Sequence, residues 1–385
     1  MTDMTPLELA QKLIHCDTVS GGDEKAALDI VAELLADAGF TITYDQYCHD
    51  PRHCSLQARL KPNEDESAIC LMGHIDTVAP GAGRWRHPPF AAAVEDDVLY
   101  GRGACDMKGG VAAMVCAACE MATAVQHGRG DIAVSIYGGH ELGCKGSLHA
   151  VENPAHIANL GAVVVGTPTG CRPFAGHKGV MWIECLARGM GINAAVPERG
   201  DSALAKMLPF AYRLRDFSVK GEHIAMGKSS LVMTSFTSGR NNNTVPDRAV
   251  LTLDFRSLPE QNHTHVRRML DELAGPYINL EVTLDLPPVW TDPSNPWLAK
   301  AIALMGPIMG ERETPGLEAA GYGTDAAALR KRLPGIPVLL LGPGDPHVSH
   351  QDNERCPVEQ LELAMRMYTT LIDDWTRNSS RGIAI

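Results

Sequence analysis

Apolar residues recur at helical spacing over residues 26–38, with Asp29, Glu33 and Asp37 on the opposite face, which predicts an amphipathic helix. The apolar run at 68–72 is too short for a helix and predicts a buried strand. The same alternation continues with a helix over 109–123 and strands over 132–137 and 162–165. Strands separated by helices predict an α/β fold: a mixed, largely parallel sheet with helices on both faces.

The texture changes after Gly176-His177-Lys178-Gly179. Residues 181–186, 230–235, 249–255 and 278–284 read as strands, and helical spacing occupies 202–214 and 263–274. This order predicts a smaller α+β insert of the split βαβ, ferredoxin-like type. Pro287-Pro288 closes it, and from Pro296 helix and strand alternate again at 297–305, 326–330, 338–341 and 357–375. The expected organisation is one discontinuous catalytic domain, residues 1–178 and 289–385, interrupted by a lid at 179–288.

A chain of 385 residues, 45% hydrophobic and 21% charged, has material for two cores. Its net charge of -12, with no block of Lys and Arg, excludes nonspecific nucleic-acid binding, although a single Arg still suffices for a small anion. Thr5, Pro6 and Glu8 form a helix start with a capping box, in place of the basic and apolar regions of a secretion signal. The longest apolar stretch, residues 111–119, falls short of the roughly 20 residues that span a bilayer and predicts a buried helix, with no membrane partner. Eleven cysteines without paired spacing are expected to be reduced thiols in a cytoplasmic protein, with Cys105, Cys144 and Cys171 filling the core.

Candidate chemistry lies in Gly73-His74-Ile75-Asp76, Asp106-Met107-Lys108-Gly109-Gly110, His140-Glu141 and His350 of Ser349-His350-Gln351-Asp352-Asn353-Glu354. Imidazoles and carboxylates in this mixture suit divalent zinc, cobalt or manganese. Several of these positions follow predicted strands, where ligands gather in open α/β sheets.

With Gly101-Arg102-Gly103, Gly166-Thr167-Pro168-Thr169, Asn243-Thr244-Val245-Pro246 and Gly323-Thr324-Asp325-Ala326, these segments resemble the M20 metallopeptidase and deacylase family over nearly the whole chain. The resemblance implies that Asp106 bridges two metals, that Glu141 and His350 complete one site, and that His74 belongs to the other. It also implies that the Asp76 carboxylate fixes the His74 tautomer, and that the insert is a lid and dimerisation domain of a homodimer.

Three positions depart from the family pattern. His140 stands where the family has its proton-accepting Glu, Thr167 where it has a carboxylate ligand, and Asn193 where it has a lid His. Two cations carry four positive charges against the two carboxylates of Asp106 and Glu141, so one metal per chain, zinc first, is expected rather than two. His140 is then the base, a replacement ligand or a packing residue. Asn193 retains an N–H for an oxyanion, Arg256 either matches a position that binds substrate carboxylate in parts of the family or forms a strand-end salt bridge, and Asn242 and Asn243 either contact substrate or cap a turn. The expected activity is metal-dependent hydrolysis of an N-acyl amino acid or related small amide bearing a carboxylate. The alternatives are the same fold turned to a non-hydrolytic reaction, or a binding relative without chemistry.

Overall fold

Strand Ala68–His74, buried at every position, runs through the middle of the main sheet. The computed structural model describes residues 4–61, 66–127, 130–310 and 318–378. Asp131–Tyr137 and Leu160–Val165 flank Ala68–His74 in parallel, and Val338–Leu340 continues the parallel set beyond Leu160–Val165. Their carboxyl ends therefore share one edge, and the candidate residues follow from that edge.

On the other side of Asp131–Tyr137 the sheet turns antiparallel, with Cys54–Arg59 and then Thr41–Gln46. The hydropathy pattern gave no sign of this pair, for reasons the structure makes plain. Thr41–Gln46 is a largely exposed edge strand, and Cys54–Arg59 buries a glutamine, Gln57, whose Oε1 accepts from Ser135 Oγ at 2.7 Å.

Helix Lys108–His127 lies against Pro6–His15 and Val358–Asn378. Its span Lys108–Gln126 is long and apolar enough to cross a membrane, which corrects the shorter reading of 111–119. With 72% of that window buried, it is the core helix of this fold. The paired glycines at its start are required by close approach. A Cβ on Gly109 would come within 2.4 Å of the Ala104 carbonyl oxygen, and one on Gly110 within 2.1 Å of that of Gly166. They bring the Asp106 turn against the strand ends. The capping box at Thr5 and Glu8 is present.

The chain divides into two units: Met1–Gly176 with Trp290–Glu318 and Thr324–Ile385, and His177–Val289 with Ala319–Gly323. The second carries an antiparallel sheet in the order Ser230–Ser238, Arg248–Ser257, Gly179–Arg188, Ile278–Leu286. Helices Ala203–Leu214 and His263–Ala274, capped by Ser202 and Asn262, pack on it. Met181, Ile183, Phe210, Leu251, Leu253 and Leu270 form part of its own core.

Candidate metal centre and active site

His74 ends its strand fully inside the first unit, and its two ring nitrogens have different partners. Nδ1 lies 3.0 Å from the backbone carbonyl oxygen of Asp76. A carbonyl only accepts, so Nδ1 carries a hydrogen and Nε2 is the nitrogen left to serve as a ligand atom. Nε2 lies 3.2 Å from Asp106 Oδ1. Burial and the neighbouring His140 work to lower the His74 pKa, but Asp106 outweighs them and raises it, so in the metal-free protein Nε2 donates to that carboxylate. The other Asp106 oxygen is 3.5 Å from His350 Nε2, which is also 3.0 Å from Glu141 Oε1. One ligand atom from each of Asp106, Glu141 and His350 lies within 4.8 Å of the other two. Two carboxylates and an imidazole, with a second imidazole beside them, balance the charge of one divalent cation and match its donor preference.

His350 reaches this position from a left-handed backbone, φ 64, a conformation that costs a non-glycine residue roughly 1–2 kcal/mol. Hydrogen bonds to Asp106 and then Glu141 push its pKa up to about 10, so in the metal-free protein Nε2 holds a proton that a cation must displace. Burial raises the Asp106 carboxyl, but His350 and His74 outweigh it and hold the group far below the usual carboxylate range.

Asp76 has a different task from the one expected. Its carboxylate stands 3.6 Å from His74 Nδ1 and instead accepts the backbone N–H groups of His140 at 3.0 Å and Glu141 at 2.9 Å. The His74 tautomer is set by the Asp76 main-chain carbonyl, and the side chain anchors the loop that carries Glu141. Glu24 supports the same loop from behind. It accepts from Gly139 N at 2.9 Å and from the Tyr47 hydroxyl at 2.7 Å, and burial pushes its carboxyl up to about 7.

A second buried carboxylate holds the Asp106 turn. Glu354 Oε1 accepts from Cys105 N and Asp106 N, each at 2.9 Å, while Oε2 pairs with Arg102 at 2.6 Å. Arg102 is 1% exposed and lies under the Trp85 ring at 5.1 Å. Both residues stand inside motif segments, and their only signal in the sequence was a charge among glycines and next to candidate ligands.

His140 stacks on His74 with ring centroids 4.1 Å apart and planes 6° from parallel. Its Nδ1 is 2.9 Å from Asp325 Oδ2 and 3.4 Å from Cys144 Sγ, and Ser147 Oγ donates to the other Asp325 oxygen at 2.6 Å. Burial works to lower the His140 pKa, but Asp325 and then Cys144 outweigh it and raise the group well above its ordinary value. Burial pushes the Cys144 thiol up to about 11, so it stays protonated. Cys144 is thus a neighbour of the candidate site rather than simple core filler, whereas Cys105 and Cys171 donate to the main-chain carbonyls of Asp345 and Gln360. Thr167 is buried after Leu160–Val165 and brings a hydroxyl where an anion was expected.

The remaining candidates belong to the second unit. Asn193 Oδ1 accepts from Ala195 N at 2.9 Å, and its backbone bridges to Thr244. Arg256, read from the sequence as a substrate contact or a strand-end salt bridge, forms a two-pronged pair with Asp254 at 2.7 and 2.9 Å. Asp254 also accepts from Trp182 Nε1 at 3.0 Å. Asn242 and Asn243 are exposed between Ser230–Ser238 and Arg248–Ser257, and the Asn243 carbonyl accepts from Ala194 N.

The model of peptidase family M20/M25/M40 matches residues 70–374, most of the chain. This chain belongs to the M20 family. Succinyl-diaminopimelate desuccinylase of Methylobacterium radiotolerans is 30% identical over 95% of this chain and 96% of its own length. The Paracoccus denitrificans desuccinylase is 27% identical, covering 96% and 97%. Among solved structures, an M20 metallo-carboxypeptidase from Sulfolobus solfataricus superposes with a TM-score of 0.80 at 15% identity, covering 97% of this chain and 99% of that one. A Bacillus subtilis M20 peptidase described as dinuclear metal binding gives a TM-score of 0.69 at 17% identity, covering 96% and 97%. As an M20 member with desuccinylase relatives, the chain is a metal-dependent amidohydrolase.

Proposed function

We propose that this M20 enzyme hydrolyses the amide of an N-acyl amino acid that carries a free carboxylate, an N-succinyl diamino acid being the first choice. The desuccinylase names of the relatives at 30% and 27% identity suggest that acyl group. The observation that carries the reading is the convergence of Asp106, Glu141 and His350, with His74 on the far oxygen of Asp106. These residues would hold one zinc ion, since Thr167 adds no charge for a second. Bound there, zinc supplies Lewis acidity and makes water a better nucleophile near neutral pH.

The rest of the chemistry belongs to side chains. With a cation held by the neighbouring residues opposing its imidazolium charge, His140 would have a free Nε2, which would then take a proton from the attacking water while the new C–O bond forms at the acyl carbon. As the C–N bond breaks, His140 passes that proton to the departing nitrogen, and the products are an amine and a carboxylic acid, which ionises to its carboxylate by releasing its proton. Asp76 and Glu24 keep the His140-Glu141 loop in place during the exchange.

Purified protein loaded with zinc is expected to bind one equivalent and to release succinate from N-succinyl-diaminopimelate. A chelator should abolish the release and added zinc restore it. Thr167→Glu should raise the metal content toward two per chain. Full zinc occupancy without hydrolysis across a panel of N-acyl amino acids would overturn the assignment, and two metals in the native protein would overturn the single-site reading.

The second unit offers a contact for a homodimer. Strand Ser230–Ser238 is the edge of its sheet and exposes Val232, Met233 and Phe236. An edge strand with apolar side chains is a template for pairing with another chain. Sedimentation is expected to report twice the chain mass of 41.4 kDa, and a strict monomer at micromolar concentration would contradict it. A cytoplasmic setting fits the cysteines, all free.

A further inference from the structure

We propose that Asp325 is the positioning residue for His140, forming with it a buried carboxylate–imidazole pair that takes over from the single proton-accepting carboxylate expected at position 140. The inference rests on the reading of His140 as proton carrier and adds the group that makes a histidine serviceable there. A carboxylate has two equivalent oxygens and needs no fixed tautomer. An imidazole has two nitrogens facing different directions, and only a partner on one of them decides what the other presents.

Asp325 supplies that partner. Its Oδ2 lies 2.9 Å from His140 Nδ1, and its Oδ1 accepts from Ser147 Oγ at 2.6 Å. The carboxylate is 2% exposed, so these bonds work without competition from bulk water. On the flat side of the ring, His74 stacks at 4.1 Å and 6°, which limits tilting. The ring is therefore held by a hydrogen bond along one edge and by a face contact, leaving Nε2 to exchange the proton. The proton on Nδ1 stays there throughout, as in a serine-hydrolase triad.

Cys144 makes a competing arrangement conceivable, because His140, Cys144 and Asp325 each place one ligand atom within 4.8 Å of the others. The 2.9 Å separation of His140 Nδ1 and Asp325 Oδ2 is the ordinary length of an N–H···O hydrogen bond, and the cobalt spectrum described below tests the metal alternative.

The test uses the zinc-loaded full chain and reads both a spectroscopic signature and the kinetics. Proton NMR of ¹⁵N-histidine-labelled protein is expected to show a slowly exchanging low-field resonance on His140 Nδ1, assigned by its loss in His140→Gln. Asp325→Asn should abolish that resonance and lower kcat by ~10²- to 10⁴-fold, with KM changing far less. Asp325→Glu, which keeps the charge, should recover roughly tenfold of the loss. Ser147→Ala, a small change that keeps the fold, should shift the same resonance and lower kcat several-fold.

A folded Asp325→Asn variant that keeps the resonance or the native kcat overturns the proposal, as does a Ser147→Ala variant that moves neither. So does a thiolate-to-cobalt charge-transfer band in the cobalt-loaded enzyme that disappears in Cys144→Ser, since His140 would then share a metal with Cys144. If His140→Gln retains full hydrolysis, the proton-carrier reading fails instead. The low-field resonance and its response to Asp325→Asn still report on the contact separately.

Discussion

Asp106→Asn should yield a folded chain that binds almost no metal and has lost hydrolysis. The substitution keeps the size and planarity of the side chain, so the turn after Ala104 need not move. It removes one of the two negative charges at the station formed with Glu141 and His350, and the acceptor facing His74 Nε2 at 3.2 Å. The remaining set, one carboxylate against a divalent cation, leaves a net positive charge in a largely buried site. Loss of a mere supporting partner commonly weakens metal binding ~10–100-fold, and loss of a direct ligand should exceed that. Metal analysis after dialysis, with calorimetric zinc titration, checks the expectation. Native stoichiometry in the variant would remove Asp106 from the ligand set.

The metal-free protein should also change its pH response. His350, raised from 6.5 to about 10 by Asp106 and Glu141, contributes stability that is complete below about pH 6.5 and is lost as pH rises through about 10. Asp106→Asn removes the first of those partners and should flatten that decline.

Arg102→Met is expected to cost about 3–5 kcal/mol of stability, the usual result of leaving a buried charge without its partner. Arg102 and Glu354 are both essentially inaccessible and meet at 2.6 Å. Burial already raises the Glu354 carboxyl, even with the Asp106 N–H and the Arg102 cation opposing it. Without the guanidinium, Glu354 either stays charged at high cost or takes up a proton. Either outcome weakens its hold on the N–H groups of Cys105 and Asp106 and should reduce zinc affinity as well. Urea unfolding of the metal-free variant measures the cost. The double variant Arg102→Met with Glu354→Gln should recover part of it, because the unpaired charge is gone. A loss below about 1 kcal/mol would mean that solvent reaches Glu354 and screens it.

Long periodic segments were the legible part of the fold. The core helix, the central strands and the capped helices of the second unit all carry enough apolar repeats to reveal their period. Thr41–Gln46 lacked that signal because an exposed edge strand has no buried face. Ala93–Glu95, Val98–Tyr100 and Arg355–Pro357 lacked it because three residues cannot display a period. In the site, His74, Asp106, Glu141 and His350 stood out through segment order, and the structure brings them together. The anchoring residues did not stand out. Whether the Asp76 carboxylate faces an imidazole or two backbone N–H groups depends on the path of a loop 64 residues away in sequence, and Asp325 meets His140 across 185 residues. For Arg256 the sequence left a substrate contact and a strand-end salt bridge both open, and it takes the structure to show Asp254, two residues earlier on the same strand face, pairing with it.

The interrupted layout of the first unit also sets a timetable on the ribosome. Glu141 and His350 meet although 209 positions separate them, and the stretch between includes the whole second unit with a core of its own. At ~5–20 residues per second, translation places His350 roughly 10–40 s after Glu141. During that interval the nascent chain carries the buried carboxylates of Asp106 and Glu141 without the imidazole that separates them and without Glu354 to hold the turn. The second unit can finish folding in this window, while the first waits open. Capture of a divalent metal by these residues would therefore belong to the last moments of synthesis or after release, and would complete a half-assembled domain rather than fill a finished one.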